Sequence, residues 1–179
     1  MPRFAVLLRG VNVGKGNRLP MADFRAALES LGYTGVRTLL NSGNAVFSGP
    51  GRSPAAHAQA IRDALRSRCG LEPPVIVKSA RQLAAIAEEN VLAAVAKDHS
   101  RLLVVFTQDD DALRPLEDLA SGVEPPERFV VGEHAAFLYA PDGILQSTAG
   151  AVLLGKGGRA VTTRNWRTVL KLQRLLSAE

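Results

Sequence analysis

Phe4-Ala-Val-Leu-Leu8, followed by Arg9-Gly-Val-Asn-Val-Gly-Lys-Gly-Asn-Arg18, decides how the first half of this chain is read. Five consecutive apolar residues bounded by turn-forming ones suit a central strand buried on both faces. The ten residues that follow hold three glycines and two asparagines. That composition suits neither helix nor strand, so a loop is expected. Beyond the loop, Pro20 is suited to a first helical position. Met21, Phe24, Leu28 and Leu31 recur at helical spacing, and Gly32 closes the predicted helix.

The same reasoning extends toward the C-terminus. Val36–Leu40 and Ala45–Phe47 read as short strands joined by Asn41-Ser-Gly-Asn44, whose Asn and Gly residues supply the positive φ that a tight turn needs. Ser53-Pro54 opens a helix to about Arg68, with Ala58, Ile61 and Leu65 on one face, and Val75–Val77 is a further strand. The order β-α-β-β-α-β is that of a ferredoxin-like fold. The second half has a similar outline. Ser79 caps a helix, Leu102–Phe106 is a buried strand, and Asp109-Asp-Asp111 starts a helix carrying Leu113, Leu116 and Leu119. Phe129–Val131 and Ala136–Tyr139 flank a turn at Gly132-Glu133-His134. Two helix-like stretches close the chain, 149–154 and 165–176, with Thr162 or Thr163 as the last N-cap. The fold class expected is α+β, with two tandem ferredoxin-like units of antiparallel sheet, residues 1–78 and 79–179, the second ending in extra helices.

Bulk properties bound the function. The chain has 179 residues, of which 46% are hydrophobic and 5% aromatic, so a packed core built on Leu, Val and Ala is expected. Cys69 is the single cysteine, which excludes an intramolecular disulfide and a Cys-rich zinc site. No stretch approaches the roughly 18 apolar residues of a membrane span, and the N-terminal apolar run is too short for a signal-peptide core. A cytoplasmic location with no membrane partner is expected. Net charge is +5, unevenly spread. Residues 1–87 hold twelve Lys/Arg against four Asp/Glu, 88–142 hold four against twelve, and 143–179 hold six against one. Basic ends that met in the fold would attract anions.

Gly10-Val-Asn-Val-Gly-Lys-Gly16 superficially suggests a phosphate loop. Its glycine spacing is one residue short and Gly16 stands where Ser or Thr would hold magnesium, so it is not a Walker A motif. Arg9, Lys15 and Arg18, with Asn12 and Asn17 beside them, could still hold an anion near a helix start. Ser42 and Asn44 are candidates in the hairpin turn, and Arg164, Asn165 and Lys171 at the acid-free start of the last helix. Trp166, Val169, Leu172 and Leu176 share one helical face and read as core. Gly-x-Ser-x-Gly and His-Glu-x-x-His are absent, and His57, His99 and His134 lie in unrelated contexts, so no catalytic residue, metal site or cofactor is assigned.

Three segments together resemble a known family. They are Arg9-Gly-Val-Asn-Val-Gly14 with Asn17 and Met21; Gly32-Tyr33, Val36-Arg-Thr38 and Asn41-Ser-Gly-Asn44 with Phe47; and Thr162-Thr-Arg-Asn-Trp166 with Thr168 and Lys171-Leu172. The chain resembles the bacterial DUF1697 family, a domain of unknown function. The resemblance implies a cytoplasmic α+β fold of ferredoxin-like units and carries no activity with it. Many relatives have a Lys/Glu-rich stretch before the third segment; this chain departs from that pattern with Leu154-Gly-Lys-Gly-Gly158, so a site depending on those charges is not expected here.

The leading expectation is a small phosphorylated or otherwise anionic ligand, held by the basic polar loop and the start of the last helix. A nucleic-acid partner is the second reading, since a ferredoxin-like sheet also carries RNA-recognition folds and the pI is near 9.9. A regulatory or oligomerising module is the third. Whether the protein is an enzyme, and its oligomeric state, are left open by the sequence.

Overall fold

The computed structural model describes residues 1–178. It is a mixed α+β structure with two four-stranded antiparallel sheets. The chain divides into two compact units. The first holds Met1–Leu83 and the C-terminal residues from Leu172 onward, and the second holds Ala84–Lys171.

In the first unit the order is β1 (Arg3–Leu8), α1 (Met21–Ser30), β2 (Thr34–Leu39), β3 (Asn44–Ser48), α2 (Pro54–Cys69) and β4 (Val75–Ser79). The strands lie side by side as β2-β3-β1-β4. In β1, Phe4, Val6 and Leu8 join Phe24, Leu28, Ile61 and Leu65 of the two helices in one core. The intervening Ala5 and Leu7 are also buried. A strand buried on both faces must be apolar at every position, which is why it appears in sequence as an unbroken run. Ser53 caps α2 by accepting from Ala56 N–H at 3.1 Å, and Gly70 ends it at φ +65°. Cys69, the last residue of α2, packs against this core, and burial is the main cause that pushes its thiol up.

The second unit repeats the connectivity. Its elements are β5 (Leu102–Thr107), α4 (Arg114–Ser121), β6 (Arg128–Val131), β7 (Ala136–Tyr139), α5 (Thr148–Leu154) and β8 (Val161–Asn165), and its strand order is β6-β7-β5-β8. Leu103, Val105, Leu113, Leu116, Leu138, Leu153 and Val161 form its core. Two helices run across the divisions between units, α3 (Ala80–Glu88) and α6 (Trp166–Ser177). Ser79 and Gln82 cap α3 reciprocally, each side chain accepting from the other's backbone N–H.

Several local expectations change. Thr162 and Thr163 are not helix caps, because Val161–Asn165 is a strand paired with β5, Val105 opposite Thr163 and Phe106 opposite Thr162. Its β-branched residues favour the pleat, but four of its five side chains are polar, so no apolar run announces it. The cap of α6 is Asn165, whose Oδ1 accepts from Thr168 N–H at 2.9 Å. Pro20 stands just before α1, its carbonyl accepting from Asp23 and Phe24 N–H. The Asp109-Asp-Asp111 segment enters a 3₁₀ turn, Asp110–Leu113, before α4 begins.

Candidate functional site

The loop that follows β1 is held in shape by its asparagines. Asn12 sits at φ +56° and Asn17 at φ +51°, left-handed backbone that asparagine tolerates better than most residues. The Asn12 side chain forms a two-way clamp on Leu19: its Nδ2 donates to Leu19 O at 2.8 Å and its Oδ1 accepts from Leu19 N–H at 2.8 Å. The same Nδ2 donates to Asn41 O at 2.7 Å, tying the loop to the β2–β3 turn. Across the loop, Asn12 N–H donates to Asn17 O at 3.0 Å, Asn17 Nδ2 to Gly10 O at 3.3 Å and Arg18 Nη2 to Gly14 O at 3.0 Å.

The turn is equally constrained. Gly43 lies at φ +88°, and a Cβ there would stand 2.7 Å from Leu8 Cβ and 2.8 Å from Val11 Cγ2. Asn44 is fully buried and its Nδ2 donates to Leu39 O at 3.0 Å and Ser42 Oγ at 2.9 Å.

Between loop and turn lies a pocket of about 330 Å³, lined by Asn12, Arg18, Leu19, Pro20, Met21 and Asn41. It opens at the start of the ten-residue α1, whose N-cap position, Pro20, supplies no side-chain hydrogen bond. The helix dipole and first-turn N–H groups favour negative charge there, and Arg18 adds a full positive charge. Asp23 is the acid in the first turn of α1.

The predicted site residues thus separate by role. Arg9, Asn12, Lys15, Asn17, Arg18, Ser42 and Asn44 fall on two adjoining segments of the first unit, and of these Asn12 and Arg18 line the pocket. Asn12 and Asn44 have their amides engaged in holding the backbone. Arg9 is half-buried, and burial lowers its guanidinium from the ordinary value. Lys15, Asn17 and Arg18 are exposed.

Arg164, Asn165 and Lys171 belong to the second unit. Arg164 is buried, its Nη1 donating to Thr162 Oγ1 at 2.7 Å and Thr163 O at 2.8 Å, and desolvation pushes its pKa down to about 10. Asn165 caps α6, and Lys171 is exposed.

Sequence reasoning missed Asn41 as a contributor to the pocket, although it lies in the quoted turn. It also missed two histidine pairings. Tyr33 Oη and His57 Nδ1 meet at 2.6 Å in the first core, with Pro50 O 3.0 Å from His57 Nε2. In the second unit His134 Nδ1 lies 3.1 Å from Asp110 Oδ2, and Glu89 Oε1 accepts from the N–H groups of His134 and Ala135 at 3.0 and 2.9 Å. Among the described residues no group of three or more His, Cys, Asp or Glu is arranged to hold a metal ion.

Two antiparallel sheets of matching strand order, with a polar two-segment pocket in the first unit, define a two-sheet α+β protein. The chain belongs to the DUF1697 family of proteins of unknown function, whose family model matches residues 1–137. The Thr162–Trp166 segment lies beyond the matched residues. The fold is similar to that of the conserved bacterial protein SP0830 from Streptococcus pneumoniae, with a TM-score of 0.80 and 24% identity over 98% of this chain and 99% of that one. No curated protein matches the sequence.

Proposed function

We propose that this protein binds a small phosphorylated or otherwise anionic ligand in the pocket between residues 9–20 and the β2–β3 turn, on a ferredoxin-like scaffold repeated in its two units. The scaffold reading is supported by the β-α-β-β-α-β order of the first unit and by equivalent strand orders in both, β2-β3-β1-β4 and β6-β7-β5-β8. The ligand reading rests on one observation: Arg18 lines a pocket at the start of α1, where Asn12 holds the backbone fixed. A fixed, cationic helix start needs little reordering to receive an anion. Arg18, Lys15 and Asn17 are the ligand-facing groups in this reading. Asn12 and Asn44 are the frame, and Arg164 and Asn165 serve the second unit's own structure.

The nucleic-acid reading has less support. Phe4 and Phe47 stack on each other at 5.4 Å between ring centroids inside the first core, so neither offers a face to a base.

The test is thermal unfolding against a panel of nucleotides, sugar phosphates and pyrophosphate. An anion at about 100 times its Kd adds roughly 2.7 kcal/mol, which for a chain of this size raises the midpoint by about 5–10 °C. Arg18→Ala should abolish the rise without lowering the ligand-free midpoint. An undiminished rise in that variant, or no rise with any anion, refutes the reading.

A further inference from the structure

We propose that the end of the first sheet carrying this loop and turn docks peripherally on an anionic lipid bilayer, with Val13 and Leu40 entering the interface and Lys15 and Arg18 facing the headgroups. The inference shares cations with the small-ligand reading but does not need the pocket.

The register places the two aliphatic side chains at one end of the sheet. Leu7 of β1 and Leu39 of β2 both pair with Asn44 of β3, so the segments that follow β1 and β2 leave the sheet at the same end. The hydrogen bond from Asn12 Nδ2 to Asn41 O joins the residue before Val13 to the residue after Leu40. Val13 is 68% exposed and Leu40 53%. Single exposed aliphatics are commonplace, but Leu40 is also held at φ +59°, where a leucine is strained and Gly or Asn would not be. An aliphatic side chain is thereby kept at the tip of a turn, in the solvent, at a conformational cost.

The two segments at the tips carry charge of one sign, and the exposed acid nearest in sequence, Asp23, lies in the first turn of α1. Residues 9–20 contain Arg9, Lys15 and Arg18 and no acid, and residues 40–43 contain no charge. The acid in the segment before β4, Glu72, lies 3.5 Å from Arg66. Aliphatic tips set among cations fit a surface that is negative outside and apolar beneath. RNA would call for exposed aromatic faces on which bases stack, and the two tips present aliphatic side chains instead. Among the described residues no helix is long and apolar enough to cross a membrane; the docking proposed is peripheral, and it departs from the expectation of no membrane partner.

The experiment is co-sedimentation of the 179-residue chain with vesicles of phosphatidylcholine alone and with added phosphatidylglycerol. Partition should require phosphatidylglycerol and fall as salt rises. Lys15→Gln should weaken it about fivefold, the effect of one cation near such a surface. Val13→Ser and Leu40→Gly should each weaken it several-fold, and Leu40→Gly should leave the thermal midpoint unchanged or raised, since glycine relieves the left-handed strain. Loss of binding in Leu40→Gly together with a lowered midpoint would indicate a structural role and overturn the proposal. Equal binding to both vesicle types, retention in the Val13 and Leu40 variants, or loop-dependent binding to short RNA without vesicle binding would also overturn it. Pyrophosphate titrated in parallel separates the two readings. Binding of pyrophosphate through Arg18 without vesicle binding leaves the pocket and removes the docking surface.

Discussion

At the scale of single residues, two positions hold the candidate site in shape, each for a different physical reason. Asn12 combines a left-handed backbone with three side-chain hydrogen bonds to Leu19 and Asn41. Asn12→Ala should cost about 2–3 kcal/mol in urea unfolding, since both the bonds and the tolerance for positive φ are lost. Asn12→Gly restores the backbone alone and should recover a minority of that. Gly43 is limited by space as well as by φ, because Leu8 and Val11 occupy the volume a methyl group would need. Gly43→Ala should destabilise by about 2 kcal/mol or more and shift the turn, which would also be read as loss of any Arg18-dependent ligand response. Both residues appeared in sequence as turn punctuation. That Asn12 grips residues seven and twenty-nine positions away was not visible there, because hydrogen-bond partners distant in sequence leave no local pattern.

At the scale of elements, α2 meets the first sheet through an unusual buried histidine. His57 is fully buried beside Phe4, Tyr33 and Phe47, with Tyr33 Oη at one ring nitrogen and Pro50 O at the other. Pro50 O can only accept, so Nε2 carries the proton and neutral Nδ1 accepts from Tyr33. Burial is the largest cause lowering the His57 pKa below its ordinary 6.5, with Arg52 contributing in the same direction and the Pro50 bond opposing. The unfolded chain therefore binds the proton more readily than the folded one. This histidine's contribution is fully present above pH 6.5 and is lost as pH falls from there through the lower folded value. Urea midpoints should decline below about pH 6.5 in the wild type, and the decline should shrink in His57→Gln. Tyr33→Phe should cost about 1–2 kcal/mol at neutral pH by leaving Nδ1 buried without its donor. Among the helices, α2 was the most legible in sequence, since Ser53, Pro54 and Gly70 are local signals at both ends. Strand β8 was the least legible, because its identity depends on β5 lying alongside.

At the scale of the whole molecule, the first unit is completed by the far end of the chain. The Arg3 guanidinium donates from Nη1 to Leu176 O at 2.7 Å and also to Ala178 O, and from Nη2 to Leu175 O at 2.7 Å. These carbonyls belong to the last turn of α6 and its exit, where the helix dipole also favours a cation. Arg3→Ala should lower stability by about 1.5–3 kcal/mol in urea unfolding. Arg3→Lys should recover less than half, since an ammonium lacks the planar fork that reaches several carbonyls together.

Element identity over most of the chain, and the family, followed from the residues themselves. Apolar runs, helical spacing, caps and Gly/Asn turns act within a few positions, and local sterics and solvation suffice to read them. Which residues become neighbours was decided by the tertiary structure. The Tyr33–His57 pair, the return of the C-terminal turns to Arg3, the grip of Asn12 on Asn41 and the conversion of Val161–Asn165 from presumed cap to strand all depend on long-range pairing. Such contacts form only when the burial of apolar surface elsewhere offsets the entropy of closing the intervening chain.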